Sequence, residues 1–340
     1  MSLRACAASA AALACLGFMG SNRSAVRGQN PSEWSMPGDR HDRMQPLDLR
    51  LAPLPVRAPT SAPAESLLAF CAFVEDNWDI YTWDLQPGHP PVRRTHTPYD
   101  EAAPSLSPDR SFCVYESVDG RLWRLPLKAD ASPEALPFGS DQRFDMHPAA
   151  SPDGRSVVMA TSLNRATDDT DLVVYDTAAG TFGRRLELIS YQHFPSWAPD
   201  GVHVVFSNLQ GRLQTGRPIC ELWVMRTDAP WARQLTLLDG LAISPSWSPR
   251  GDRIAFACAR EGGFDVWLLN PVSRACARLT EDEAADTDPV FSPDGRSIIF
   301  VSTRGGRSGL WRIDVDARPA VPVVPFGESS VVPCKDPDWK

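Results

Sequence analysis

The chain has 340 residues, including 32 prolines, 22 glycines and 11 tryptophans, and a formal net charge of −8. Proline makes up about 9% of the residues, nearly twice its average usage, and this excludes a protein of long helices because proline breaks helix interiors. The hydrophobic fraction of 43% excludes wholesale disorder. The acidic balance argues against a nucleic-acid partner, because surfaces that bind nucleic acids are basic and neutralise phosphates.

The amino-terminal residues are typical of an export signal. One positive charge, Arg4, precedes a stretch of small and apolar side chains in residues 5–20. This order is that of a signal peptide, and the stretch is too short for a comfortable membrane span. We therefore expect residues 1–20 to direct export to the periplasm or the cell exterior. Cys15 is a candidate lipidation site that would tether the protein to a membrane, and plain secretion is the alternative.

Residues 21–66 predict a linker. They contain seven prolines and scattered arginines, and no period of 2 or 3.6 is present that would indicate a strand or a helix. Such a composition is typical of an extended, Pro-rich flexible segment.

An internal repeat organises the rest of the chain. A motif of the form Pro-x-x-Ser-Pro-Asp-Gly returns five times, with small variations, and its leading prolines are 44 to 50 residues apart. The copies are Pro104–Arg110, Pro148–Gly154, Pro195–Gly201, Pro245–Gly251 and Pro289–Gly295. This period fits four strands and their turns, which is one blade of a β-propeller. A solenoid with the same repeats is the rival interpretation.

The residues around each motif predict its local structure. Ser-Pro-Asp-Gly suits a type I turn with Ser first, Pro second and Gly fourth. An apolar strand follows each turn, and an aromatic residue of the next strand comes eleven residues after an aromatic residue of the first. Phe256 and Trp267 have this spacing, as do Phe300 and Trp311, and Phe70 and Tyr81. Acidic residues that return with the repeat, such as Asp79 and Asp265, are expected to be turn and hydrogen-bond partners.

The two ends of the repeat region complement each other. Residues 67–85 form a blade fragment without its first strand, while Asp336–Trp339 has the Pro-x-Trp opening of a first strand. Pro337 also follows Pro289 at the repeat period. We therefore expect an all-β, six-bladed propeller of four-stranded blades over residues 67–340, closed by pairing of the C-terminal strand with the N-terminal blade.

The Pro-x-Trp-Ser-Pro-Asp-Gly strand, the apolar strand after it and Asp265-Val-Trp267 resemble the TolB-type, or PD40, propeller repeat. The resemblance covers about four fifths of the chain and implies an interaction module of the cell envelope that binds a protein or peptide partner without catalysis. Similar repeats form the propellers of prolyl-oligopeptidase-like peptidases and of oligogalacturonate lyases. Peptidases of this kind need a Gly-x-Ser-x-Gly nucleophile motif, which the chain lacks.

Candidate functional residues lie before each first strand, because a propeller gathers these loops at the mouth of its channel. The candidate binding residues are Glu101, Asp145, His147, His193, Phe194, Asp286 and Asp288. His147 and His193 occupy nearly equivalent positions in neighbouring blades, and His96 lies in the connection before them. Histidine binds divalent metals, so these three residues are the candidate metal ligands.

The sequence thus predicts a monomeric, exported binding protein that requires no cofactor and has no catalytic residue. The alternative is a metal-dependent polysaccharide lyase or hydrolase with its histidine site at the channel. A third hypothesis is a structural propeller within a larger assembly.

Overall fold

The structure is a computed structural model that describes residues 66–340 apart from gaps at 87, 129–130, 138–143, 163–169, 187, 189–190, 214, 261–262, 324 and 326–331. The predicted signal peptide, the candidate lipidation site Cys15 and nearly all of the predicted linker lie outside the described residues. Every regular element in the described part of the chain is a β-strand. No helix long and apolar enough to span a bilayer occurs in that part.

The strands form groups of four. The first three are β1 (Leu68–Val74), β2 (Asn77–Trp83) and β3 (Val92–Arg93), and β24 (Cys334–Trp339) completes their sheet. The second group is β4 (Glu101–Leu106), β5 (Phe112–Ser117), β6 (Leu122–Pro126) and β7 (Glu134–Ala135). The third is β8 (Phe144–Ala150), β9 (Ser156–Ser162), β10 (Asp171–Asp176) and β11 (Thr181–Leu186).

The remaining groups follow the same order. The fourth is β12 (Gln192–Trp197), β13 (His203–Arg212), β14 (Pro218–Arg226) and β15 (Ala232–Gln234). The fifth is β16 (Leu241–Trp247), β17 (Ile254–Ala259), β18 (Asp265–Leu269) and β19 (Cys276–Arg278). The sixth is β20 (Asp286–Phe291), β21 (Ser297–Ser302), β22 (Gly309–Asp314) and β23 (Ala317–Val323). A single parallel residue pair, Cys220 with Leu241, joins the fourth group to the fifth.

The repeat motif places the same residues at the same points of each group. Its turn closes with a hydrogen bond from the fourth residue to the first, as between Gly154 N and Ser151 O at 2.9 Å. The expected aromatic spacing is a cross-strand register, because Phe256 pairs with Trp267 and Phe300 pairs with Trp311. These observations confirm the predicted turns and strand order.

We call the strands that carry the repeated proline the lead strands. They are β4, β8, β12, β16, β20 and β24. Each lead strand contacts the next in this order, and β24 contacts both β20 and β4. Ser105 and Ser196, which follow the repeated prolines, accept hydrogen bonds from the backbone N–H groups of Ala150 and Trp247 in the next group. Asp338 does the same for Leu106, at 2.6 Å.

The core lies between neighbouring groups. Val158 and Ala160 of the third group pack with Val204 and Phe206 of the fourth, for example. One such cluster joins the last group to the first. There Leu68 and Phe70 pack with Ile299 and Val301, and Trp339 of β24 lies among them. Burying these apolar faces is the main stabilising contribution to such a stack of sheets.

Candidate functional site

A bulge occurs in each lead strand, at the residue that precedes the repeated proline. This residue has a positive φ, between 48° and 53°, in all six strands. The six pre-proline residues are Ala103, His147, Phe194, Ser244, Asp288 and Asp336. The strand register shifts at the same place in every group. This backbone conformation is strained for a residue that carries a Cβ atom, and glycine avoids the strain. None of the six residues is glycine.

Three of the predicted binding residues are buried two residues before this bulge. Glu101, Asp145 and Asp286 are at most 2% exposed. The Glu101 carboxylate accepts hydrogen bonds from the hydroxyls of Thr95 and Thr97, and burial raises its pKa to about 7. The Asp286 carboxylate accepts a 2.6 Å hydrogen bond from Arg304. The Glu101 carboxylate thus connects its lead strand to the preceding loop, and Arg304 holds the Asp286 carboxylate from the segment after β21.

The other predicted binding residues lie at the bulge or next to it. His147, His193 and Phe194 are half-buried and form one cluster of rings. The His147 ring centroid is 4.1 Å from that of Phe194 and 5.4 Å from that of His193, and Tyr191 stacks on His193. The structure therefore brings together two histidines that the sequence placed in neighbouring blades.

The two imidazoles are neutral at pH 7. Burial lowers the pKa of His147 to about 4 and that of His193 to about 3. Within the described part of the chain, the Nδ1 atoms of both rings are buried without a hydrogen-bond partner. Buried polar atoms are normally paired, so these two nitrogens are candidate hydrogen-bonding or metal-ligating atoms for a bound group.

Charged and hydroxyl side chains form the other part of the site. Asp288 accepts hydrogen bonds from Ser244 at 2.8 Å and from Thr287 at 3.0 Å. Burial and the nearby Asp336 carboxylate raise the pKa of Asp288 to about 6. Lys335 is buried and lies 3.3 Å from the Asp336 carboxylate. Burial alone would lower the pKa of Lys335, but the Asp336 carboxylate together with Cys71 and Glu116 outweighs burial and raises it.

Sequence reasoning missed four residues of this site. Ser244 and Asp336 occupy the same pre-proline position as His147, so alignment of the repeats was sufficient to find them. Lys335 and Glu116 have no such signal. Glu116 belongs to β5, and its carboxylate accepts a 2.7 Å hydrogen bond from the backbone N–H of His147. Burial raises the pKa of Glu116 to about 7.

The remaining candidates have other positions. His96 is exposed in the connection before β4. No group of three or more His, Cys, Asp or Glu side chains in the described residues is arranged to hold a metal ion. The acidic residues that recur with the repeat are hydrogen-bond partners, as expected, because Asp79 pairs with Arg93 at 2.7 Å and Asp265 pairs with Arg278 at 2.6 Å.

Fold and repeats define an all-β protein of the β-propeller class. Residues 214–339 match the model of the TolB beta propeller domain, PD40. The Tol-Pal system protein TolB of Anaeromyxobacter dehalogenans is 31% identical over 129 residues, 37% of this chain and 27% of that protein. An uncharacterized protein of Agrobacterium fabrum is 29% identical over 193 residues, 56% of this chain and 61% of that protein. Residues 214–339 therefore match the TolB-type PD40 repeat that the sequence indicated.

Solved structures with the same fold agree with this result. TolB from Acinetobacter baumannii superposes with a TM-score of 0.64 at 19% identity, over 81% of this chain and 66% of that chain. A manganese complex of an oligogalacturonate lyase superposes with a TM-score of 0.55 at 16% identity, over 76% of this chain and 73% of that chain. At these identities the likeness concerns the fold alone. The matched regions span 61% and 27% of the lengths of the two relatives named above.

Proposed function

We propose that this chain is a non-enzymatic, TolB-like binding module of the cell envelope. A protein or peptide partner binds at the end of the lead strands where the pre-proline residues lie. One relative is a protein of the Tol-Pal system, and we infer an envelope partner for this chain from that likeness. In this proposal residues 1–20 are a signal peptide, residues 21–66 are a linker, and the exported protein is monomeric.

The proposed architecture is a six-bladed propeller over residues 67–340. Its support is that the contacts between lead strands return to their starting point, since β24 contacts β20 and β4. Antiparallel pairing of β24 with β1 supplies the first group of strands, β1 to β3, with its lead strand. A closed ring leaves no unpaired lead strand at either end of the series.

The observation that carries the binding proposal is a repeated backbone with non-repeated side chains. All six pre-proline residues have the same left-handed backbone conformation, and their side chains are small, aromatic, hydroxyl and acidic. Backbone strain that persists in a fold is a reason to suspect function. Side chains that vary on a fixed and rigid frame are also the general design of recognition surfaces.

Site-specific photocrosslinking in cells tests this proposal. A benzoylphenylalanine at position 194 replaces a ring by a ring at the site, while the same residue at position 182 replaces Phe182, which is exposed on β11. We expect a discrete crosslinked species from position 194 that is absent from position 182. The crosslink should disappear when His147→Ala is added, since His147 contacts Phe194.

Each other outcome counts against the proposal. No crosslink at position 194 in cells, or the same crosslinked species from both positions, would show that the site does not receive a partner. Circular dichroism of each purified variant separates loss of the site from loss of the fold.

A metal-dependent lyase or hydrolase is the second candidate. It is favoured by the edge contact of the His147 and His193 rings and by their unpaired nitrogens in the described part of the chain. Metal analysis of the purified protein distinguishes the two functions, with His147→Ala and His193→Ala as controls. Stoichiometric metal that both substitutions remove would favour the enzyme, and its absence would favour the binding module.

Fractionation of cells tests the proposed location. We expect the protein in the envelope or outside the cell, with a shortened amino terminus. If Cys15 is lipidated, Cys15→Ser will release the protein from the membrane fraction. A full-length protein in the cytosolic fraction would contradict export.

A further inference from the structure

A patch of apolar side chains lies beside the pre-proline site. We call it the aromatic patch, and it consists of Phe73, Trp78, Tyr99 and Val118. The Phe73 and Trp78 rings are in contact, with centroids 5.3 Å apart. Asp100 connects the other members, because its carboxylate accepts the Trp78 backbone N–H and its carbonyl accepts the Val118 N–H, both at 3.0 Å.

The aromatic patch is unusually exposed for its composition. Tyr99 and Val118 are each 59% exposed and Phe73 is 36% exposed, while Trp78 is half-buried. Single exposed apolar residues are ordinary, but contiguous ones indicate an interaction surface. The patch also borders the pre-proline site, since the Lys335 ammonium lies 4.9 Å from the Trp78 ring centroid.

The rim of the aromatic patch is acidic. Glu75 and Asp76 form the turn between Phe73 and Trp78, and Asp100 and Asp119 are next to Tyr99 and Val118. Arg93 pairs with Glu75, and Arg121 lies 3.7 Å from Asp119. Among the described residues, neither Asp76 nor Asp100 has an ion-pair partner. The rim therefore has an excess of negative charge around an apolar centre.

The apolar centre and the acidic rim together indicate the kind of partner that would bind. A second copy of the chain in a symmetric dimer would bring two acidic rims together, and like charges across an interface are strongly unfavourable. An anionic membrane surface is disfavoured for the same reason. A protein segment with an apolar side chain between lysine or arginine residues would fill the centre and neutralise the rim.

We propose that the aromatic patch is a docking surface for such a segment, an apolar anchor flanked by basic residues. The anchor contacts Tyr99 and Val118, and the basic residues contact Asp76 and Asp100. This surface is separate from the pre-proline site, so either proposal stands if the other fails.

Selection from a random dodecapeptide display library tests the proposal with the full chain as target. Counter-selection uses the double variant Tyr99→Ser/Val118→Ser. A matched control, Val272→Ser/Val321→Ser, removes two side chains that are 66% and 52% exposed elsewhere. We expect a consensus of one aromatic or leucine residue flanked by lysine or arginine.

Fluorescence anisotropy of the synthetic consensus peptide then measures how much the apolar centre and the acidic rim each contribute to the Kd. We expect the double variant to weaken the Kd by about tenfold or more, because central aromatic contacts dominate such interfaces. Asp76→Asn keeps a residue that tolerates the positive φ of this position, and it should weaken the Kd about threefold and reduce the dependence on salt. The matched control should bind as the wild type does.

The proposal is overturned by selection of no peptide, by a consensus without basic residues, or by equal binding to the double variant. A dimer in sedimentation analysis that Tyr99→Ser/Val118→Ser dissociates would overturn it in favour of a second copy. Binding of anionic vesicles that the same substitutions abolish would overturn it in favour of a membrane.

Discussion

The two ends of a lead strand belong to the same repeat but differ in how far their side chains repeat. One end lies at the Ser-Pro-Asp-Gly turn, and the other, the pre-proline end, lies at the bulge. At the turn end the side chains repeat along with the backbone. Ser107, Ser151 and Ser292 each donate a 2.6 Å hydrogen bond to the aspartate two residues later. At the pre-proline end the backbone repeats, while five different residue types occupy the six bulge positions, with aspartate at two of them.

The difference shows which positions the fold requires. The turn favours a hydroxyl, a proline and an aspartate because each makes a specific local interaction, and only Ala198 and Arg250 depart from this set among the five turns. The bulge requires only a backbone conformation, since alanine, histidine, phenylalanine, serine and aspartate all adopt it. Side chains at the bulge are therefore left for recognition, which is why we assign the binding site to that end.

The largest effect is expected from removing residues 336–340, which form most of the lead strand β24. Residues 336–340 include the bulge residue Asp336 and Trp339, which is 6% exposed. Their deletion removes backbone hydrogen bonds to Leu67 and leaves a large cavity beside β1. We expect Tm to fall by about 10 °C or more.

Thermal unfolding followed by circular dichroism measures this effect. Lys340→Ala is the matched control, because it keeps the backbone hydrogen bonds with Leu67. A Tm of the truncated protein equal to that of the wild type would mean that β24 adds nothing to the fold and that the ring is not closed through it.

Much of the fold was predictable, since its signals are local. The spacing of Phe256 and Trp267 predicted a pair that the structure contains, and the Pro-x-Trp at 337–339 predicted the pairing of β24 with β1. The site was less predictable. Glu116 on β5 accepts a hydrogen bond from the His147 backbone N–H, 31 residues further along the chain. Such a contact between distant residues leaves no periodic trace in the sequence.

The two ends should also respond to acid in different pH ranges. The folded pKa values of His147 and His193, about 4 and about 3, lie below the ordinary value of 6.5. Between pH 6.5 and 4 the unfolded chain binds more protons at these positions, so stability is complete above pH 6.5 and decreases as the pH falls. At the turn end, hydrogen bonds led by that from Ser151 lower the pKa of Asp153 below 3.8, so its contribution is lost only at lower pH.

Urea unfolding of His147→Phe/His193→Phe between pH 7.5 and 4.5 isolates the histidine contribution. We expect the variant to lose less stability than the wild type, by about 2.5 kcal/mol for each histidine at pH 4.5. The raised pKa values of Glu116 and Asp288 act in the opposite direction in both proteins. Parallel pH profiles would contradict burial of neutral imidazoles.

A smaller effect is expected where neighbouring groups are joined. Ser105→Ala removes the acceptor for the Ala150 N–H, at 3.0 Å, and leaves that buried donor without a partner. We expect a loss of about 1 to 2 kcal/mol in the free energy of unfolding. Thr215→Ala, at an exposed position, is the control with little effect. Equal losses in the two variants would mean that the serine after the proline does not connect the groups.

The smallest and most discriminating effect comes from exchanging alanine and glycine at the two ends. Gly154 has a φ of 72° at the turn, and an added Cβ there meets Pro108 at an ordinary 3.5 Å. Backbone strain alone then makes Gly154→Ala destabilising, by about 1 kcal/mol. Ala103 has a φ of 48° at the bulge, so Ala103→Gly relieves the same strain, and this gain offsets the greater entropy of glycine in the unfolded chain. We expect Ala103→Gly to leave the free energy of unfolding unchanged or to raise it by up to about 1 kcal/mol. A clear loss would show that the bulge side chains serve the fold, and the distinction between the two ends would then fail.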